Sequence, residues 1–149
     1  MALAITVACP AQAEGQKGRT QVKEGNRLYS EGRFDEAHQK YLEALLEDPE
    51  SPLIRFNDGA ALYQNQDFQR AMERFQQALE SDRAMGFYRG IAQNHAQLGD
   101  VYQEQGTPEK ALAHYKRAVK IYALLNDGAA VKVLLVKLEQ VAAATGADI

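Results

Sequence analysis

The chain has 149 residues, of which 25% are charged and 46% hydrophobic, and its formal charge is −3 at pH 7. This composition is typical of a folded domain, and the acidic balance argues against general nucleic-acid binding, which needs a basic face that displaces counterions. Cys9 is the only cysteine and no run of about 18 apolar residues occurs, so neither a disulfide, a cysteine-based zinc site nor a transmembrane helix is predicted.

Residues 1–13 are small, mostly apolar and uncharged. The tripeptide AQA at their end fits the small-x-small pattern that precedes a secretory cleavage site, so we predict a signal peptide over 1–13 and a linker over 14–17. The apolar run is short and lacks a preceding basic residue, which a start codon assigned too late would explain. The segment predicts a periplasmic or envelope location. A lipid anchor at Cys9 and a floppy N-terminus of a cytoplasmic protein remain as alternatives.

The rest of the chain repeats. Eight positions recur at a spacing of 34: Gly25, Leu28, Tyr29, Phe34, Ala37, Tyr41, Ala44 and Leu45 return as Gly59, Leu62, Tyr63, Phe68, Ala71, Phe75, Ala78 and Leu79. A third copy, with Gly99, Ala111, Tyr115 and Ala118, follows at a spacing of 40, and a half copy with Leu138, Val141 and Gly146 follows at 40 again. Fixed spacing over so many positions indicates a repeat architecture.

Each copy predicts two helices, because its apolar residues recur at spacings of three and four. Asp48-Pro49 predicts a helix end, and Thr107-Pro108 predicts a helix start. The six extra residues of the third copy, around Met85 to Ile91, are expected to lengthen its first helix. The predicted helices span 18–31, 34–47, 52–65, 68–81, 84–105, 108–125 and 128–145.

The repeats resemble the tetratricopeptide repeat. GNRLYSEGRFDEAHQKYLEALLEDP, GAALYQNQDFQRAMERFQQALESD and LGDVYQEQGTPEKALAHYKRAVKIY carry its pattern of small, aromatic and proline positions. The resemblance covers roughly residues 18–146 and implies an all-α, right-handed superhelix of three helix pairs plus a C-terminal helix. The implied units are repeat 1 at 18–51, repeat 2 at 52–85, a long-form repeat 3 at 86–125 and a capping helix at 126–149.

In that family the first helix of each pair lines a concave, peptide-binding groove. By position, the resemblance implies these groove residues: Val22, Lys23, Asn26 and Tyr29, then Phe56, Asn57, Ala60 and Tyr63, then Gln93, Gln97, Asp100 and Gln103. Asn and Gln both donate and accept hydrogen bonds, as the main chain of an extended peptide requires, and Tyr and Phe provide apolar contact. Tyr29 and Tyr63 are equally explained as packing within a repeat.

One subclass of the family binds the C-terminal carboxylate of chaperones through a clamp of Lys, Asn, Asn, Lys and Arg. Only Asn26 and Asn57 match this clamp, because Val22, Gln93 and Gln97 occupy its cationic positions. We therefore do not expect chaperone-tail binding.

No catalytic motif is recognisable. His38, His95 and His114 fall in different predicted helices, without an acid at ligand spacing. No glycine-rich phosphate loop, nucleophile motif or metal-ligand cluster occurs. We expect a non-enzymatic protein without a cofactor or a metal.

The last predicted helix carries four consecutive apolar residues, Val133, Leu134, Leu135 and Val136. They cannot all face inward on one helix, so they are either a candidate association surface or a merely apolar cap.

Two functions remain open. The first is a scaffold of the cell envelope that binds an extended segment of a partner protein. A weaker resemblance to the tetratricopeptide component of bacterial aerotolerance (Bat) operons implies a von Willebrand A-type membrane protein as that partner. The second is a cytoplasmic scaffold or regulator. Structural packing, with homo-oligomers through the last helix, is a third and less specific option.

Overall fold

The computed structural model describes residues 18–148, so the predicted signal peptide and linker, residues 1–17, lie outside the described part. Within residues 18–148 the chain forms seven helices and no strand. They are α1 (Arg19–Ser30), α2 (Phe34–Glu47), α3 (Pro52–Gln64), α4 (Phe68–Met85), α5 (Tyr88–Glu104), α6 (Pro108–Leu124) and α7 (Gly128–Thr145). Each helix packs mainly against its neighbours in the chain, so three antiparallel pairs stack in series and α7 closes the stack.

Within every helix pair, one buried aromatic ring packs on one glycine. A Cβ atom on the glycine would lie only 2.5 to 2.9 Å from the nearest ring atom, so the missing side chain lets the two helices approach. The rings are almost fully buried and form the centre of each unit's core. The contacts join Gly25 to Tyr41, Gly59 to Phe75 and Gly99 to Tyr115.

The hydroxyl group of the buried ring is matched by the residue that follows the glycine. Tyr41 Oη donates a hydrogen bond to Asn26 Oδ1 at 2.7 Å, and Tyr115 Oη donates one to Asp100 Oδ1 at 2.6 Å. The second unit has a phenylalanine ring, and Ala60 stands at the corresponding position. A buried hydroxyl needs an acceptor and a phenyl ring does not, so the two positions vary together.

The six extra residues between the second and third units lengthen both α4 and α5. The expected bounds of 68–81 and 84–105 are therefore wrong. Pro49 follows the end of α2, but Arg83 stands at the equivalent position 34 residues later, so α4 is not interrupted and continues for another turn. Gly86, in the left-handed conformation with φ of 66°, then ends it.

Helix α7 packs on α6 through one face and leaves a second face exposed. Leu134 lies one turn before Leu138 on the inner face and is only 4% exposed. The expectation that Leu134 belongs to an association surface therefore does not hold. Val133, Leu135 and Val136 are 60%, 39% and 54% exposed.

Substitution of Gly99 by alanine tests the contact between glycine and ring. Gly99→Ala places a Cβ 2.5 Å from the Tyr115 ring, and overpacking of this kind costs about 1–3 kcal/mol. Gly128→Ala is the matched control, because a Cβ at this helical position meets nothing within 4 Å. It should leave the free energy of unfolding unchanged or raise it by up to about 1 kcal/mol. Urea unfolding measures the free energy of unfolding of both variants, and equal effects would refute the close contact between Gly99 and the Tyr115 ring.

Candidate functional site

A cavity of about 280 Å³ lies between α1, α3 and α5, the first helices of the three pairs. We call it the amide cavity. It brings together several residues that the sequence predicts for the groove. Its lining consists of Asn26, Tyr29, Tyr41, Phe56, Asn57, Ala60 and Gln97.

Two asparagine side chains from neighbouring units meet in this cavity. Asn26 Oδ1 accepts one hydrogen bond from Tyr41 Oη at 2.7 Å and a second from Asn57 Nδ2 at 3.2 Å. Burial raises the pKa of Tyr41 from 10 to about 12, so its hydroxyl stays protonated and remains a donor well above neutral pH. Among the side chains of residues 18–148, nothing engages Asn26 Nδ2 or Asn57 Oδ1. The network therefore presents the free amide NH2 group of Asn26 beside the free amide oxygen of Asn57.

The aromatic residues of the site pack inside the repeats and also line the cavity. Tyr29 contacts the Phe34 ring edge-on with centroids 5.2 Å apart, and Phe56 contacts the Phe75 ring at 5.5 Å. Tyr29 and Phe56 both remain partly exposed in the amide cavity. For Tyr29 the two interpretations of the sequence therefore coexist.

Tyr63, another predicted groove residue, packs on Phe68 with ring centroids 5.5 Å apart. Its hydroxyl donates to Glu104 Oε1 at 3.4 Å, and it does not line the amide cavity. Its packing role is visible in the structure, whereas its role in binding stays a prediction.

Three other predicted groove residues lie outside the amide cavity. Lys23 lines a separate depression on α1 together with residues of α2. Asp100 binds Lys137 Nζ at 2.8 and 2.9 Å and thereby fastens α7 to α5. Gln93 lines a second, smaller cavity at the N-terminal ends of α3 and α5.

Sequence reasoning missed two buried acids. Asp58, with no exposed surface, accepts hydrogen bonds from His38 Nδ1 and from Arg74 Nε, the latter at 2.7 Å, and so links α2, α3 and α4. Asp82 is 4% exposed and accepts from Asn94 Nδ2 at 2.8 Å. The sequence contains no clear signal for Asp58, because the equivalent positions before the repeat glycines hold Glu24, which is partly exposed, and Leu98, which is buried. Asp82 gave none, because the predicted helix ended before it.

The other two histidines form a pair between α5 and α6. The Nδ1 atoms of His95 and His114 lie 2.9 Å apart, so one ring donates a hydrogen bond to the other. Burial lowers the pKa of both to about 4, and the nearby Arg83 and Arg117 add to this effect.

Within residues 18–148 no group of three or more His, Cys, Asp or Glu side chains could hold a metal ion. None of the helices described in that range is long and apolar enough to cross a bilayer.

The histidine pair predicts a pH dependence of stability. Its pKa values are lowered from 6.5 to about 4 on folding, so the unfolded chain binds protons more readily between these values. The pair's contribution should be complete above pH 6.5, should fall as the pH drops toward 4, and should then level off. His95→Gln/His114→Gln should reduce this slope, as measured by chemical unfolding from pH 7.5 to 4. Identical slopes for the two proteins would refute the assignment.

Two family models, both described as tetratricopeptide repeat, match residues 56–123 and 22–86. No curated protein matches the chain at a significant level.

Solved structures share the fold at low sequence identity. The N-terminal domain of stress-induced protein-1 from C. elegans is 23% identical, with a TM-score of 0.70, and the match covers 85% of this chain and 98% of that one. The first repeat domain of Spaghetti (RPAP3), bound to the HSP90 peptide SRMEEVD, is 20% identical, with a TM-score of 0.73 and coverage of 89% and 95%. The apo form of RapI reaches a TM-score of 0.81 at 21% identity, covering 88% of this chain and 50% of RapI. The predicted all-α superhelix is confirmed.

Proposed function

The chain belongs to the tetratricopeptide repeat family, and we propose that it is a non-enzymatic interaction module that holds an extended segment of a partner protein in the amide cavity. The free donor on Asn26 Nδ2 and the free acceptor on Asn57 Oδ1 carry this proposal. An extended peptide offers a C=O and an N–H at each residue, so a fixed pair of amides can satisfy both groups. The two groups come from helices of neighbouring repeat units, α1 and α3.

The walls of the cavity suit the side chains of that segment. Tyr29 and Phe56 are held by rings of their own units, so they offer apolar surface at a low cost in conformational entropy. Gln97 adds a further side-chain amide from α5, the first helix of the third pair. A bound segment would therefore contact three successive units, which a single helix pair cannot provide.

The charge of the groove argues for a ligand other than an acidic chaperone tail. The Spaghetti domain is similar in fold and binds the acidic peptide SRMEEVD. In this chain Val22, Gln93 and Gln97 stand where the carboxylate clamp of the family needs cations, and Lys23 lies outside the amide cavity. We propose that recognition rests on main-chain hydrogen bonds and apolar contacts.

The cellular location of the protein is also a proposal, and two candidates remain. An envelope location, with a membrane protein as one candidate partner, rests on the signal peptide predicted over 1–13, outside the described residues. The alternative is a cytoplasmic scaffold that self-associates through α7. The exposed side chains of Val133, Leu135 and Val136 favour this second candidate. The identity of the captured partner distinguishes the two.

An affinity capture from native extract tests the amide cavity. The full chain should retain a partner that Asn26→Ala/Asn57→Ala loses, because two main-chain hydrogen bonds contribute about 1–3 kcal/mol, or roughly 5–150-fold in affinity. Gln69→Ala/Gln76→Ala is the matched control, since it removes two exposed amides of α4 that line neither the amide cavity nor the exposed face of α7. Circular dichroism verifies the helicity of both variants. A partner retained equally by all three proteins would refute the proposal and favour the exposed face of α7.

A further inference from the structure

A second cavity, of about 80 Å³, adjoins the amide cavity at the N-terminal ends of α3 and α5. We call it the Asp82 cavity. Phe56 lines both cavities, so the two share a wall residue. The lining consists of Pro52, Leu53, Phe56, Asp82, Phe87, Gly90, Gln93 and Asn94.

Two buried polar side chains in this cavity offer more acceptors than the described residues satisfy. Asn94 Nδ2 donates to Asp82 Oδ2 at 2.8 Å and to the Gly90 carbonyl at 2.9 Å. Asn94 is 1% exposed, and its Oδ1 has no hydrogen-bond partner within residues 18–148. Over the same residues Asp82 forms no ion pair, and Asn94 is the only side chain that donates to it. An unpaired carboxylate and an orphaned amide oxygen are both costly to bury.

The backbone is shaped to hold this carboxylate. A Cβ atom at Gly90 would overlap Asp82 Oδ2 and Cγ, so only glycine lets the carboxylate rest on α5. Asp82 itself is buried because α4 continues through it, whereas the equivalent Asp48 ends α2 and remains partly exposed. Burial raises the pKa of Asp82, and no basic side chain opposes this effect. The acid is therefore built into the cavity without an internal counter-ion.

We propose that the Asp82 cavity receives a lysine side chain of the peptide that lies in the amide cavity. An ammonium group has three donors and no acceptor, so it can satisfy the Asp82 carboxylate and Asn94 Oδ1 together. Its aliphatic stem would pack on the apolar wall formed by Leu53, Phe56 and Phe87. A compact ammonium suits a cavity of this size better than a planar guanidinium does.

The mouth of the cavity supports entry from the groove. Leu53 and Phe87 are 62% and 51% exposed and form an apolar rim, and Gln93, a predicted groove residue, is exposed beside them. The source of the lysine rests on the proposed function, whereas the cavity's preference for an ammonium does not.

Small probes test this preference directly on the isotope-labelled full chain. N-acetyl-lysine methylamide should shift the NMR signals of the Asn94 side-chain amide and the Gly90 amide to saturation. N-acetyl-norleucine methylamide has nearly the same shape without the ammonium, and it should bind at least about tenfold more weakly, because charge-assisted hydrogen bonds are lost. Equal binding of the two probes, or no shift with either, would overturn the proposal.

Two variants complete the design. Asp82→Asn should abolish the preference for lysine over norleucine, whereas Glu139→Gln, an exposed acid on α7, should retain it. Asp82→Asn should also keep or raise Tm, because it removes an uncompensated buried charge. A fall of several degrees would assign the aspartate a purely structural role and overturn the proposal.

The probes also separate this site from the amide cavity. Asn26→Ala/Asn57→Ala should bind the lysine probe like wild type, because neither asparagine lines the Asp82 cavity. Loss of the probe in this variant would contradict the separate site. Failure of the lysine probe in wild type would leave the partner-capture result unaffected.

Discussion

The contact between a glycine of one helix and a buried aromatic ring of the next controls this structure. It lets the two helices of each pair approach closely, so the three pairs are built around an equivalent contact. The contact also reaches the surface, because the hydroxyl of Tyr41 fixes Asn26 in the amide cavity. The residues that build the core thus also orient the side chain that we propose for recognition. Removal of the ring or of the space beside it would affect stability and binding together.

The three units share the contact between glycine and ring, but the polar partner of the ring differs between them and serves different purposes. In the first unit the buried tyrosine orients an asparagine toward the groove, and in the third the corresponding tyrosine bonds to Asp100, which fastens α7. The middle unit has a phenylalanine and needs no polar partner. The same core contact can therefore support a proposed binding residue in one copy and a structural connection in another.

The repeat spacing predicted the helices well, because periodic glycines and aromatics report directly on the packing that forms them. The bounds 34–47 of α2 and 128–145 of α7 agree with the structure. The prediction for α4 was wrong where it relied on the first unit, since the proline that follows α2 has no counterpart after Asp82. The burial of Asp82 could not be inferred without that extra helical turn.

The residues of the candidate site were predicted only in part, because position in a repeat locates a side chain on a helix face but does not show its contacts. Asn26, Tyr29, Phe56, Asn57 and Gln97 meet in one cavity because they occupy equivalent faces of the first helices. Position in a repeat does not show which side chains are already engaged, so the pairing of Asp100 with Lys137 was not foreseen. Leu134 faces inward because of the rotation of α7 about its own axis. A run of four consecutive apolar residues does not determine that rotation.

The decisive measurement is a structure of the full chain in complex with the segment of the captured partner that binds it. We expect an extended segment across α1, α3 and α5. One of its carbonyl groups should accept from Asn26 Nδ2, and one of its amide groups should donate to Asn57 Oδ1. A helical segment, or one that lies on the exposed face of α7 and leaves the amide cavity empty, would contradict it.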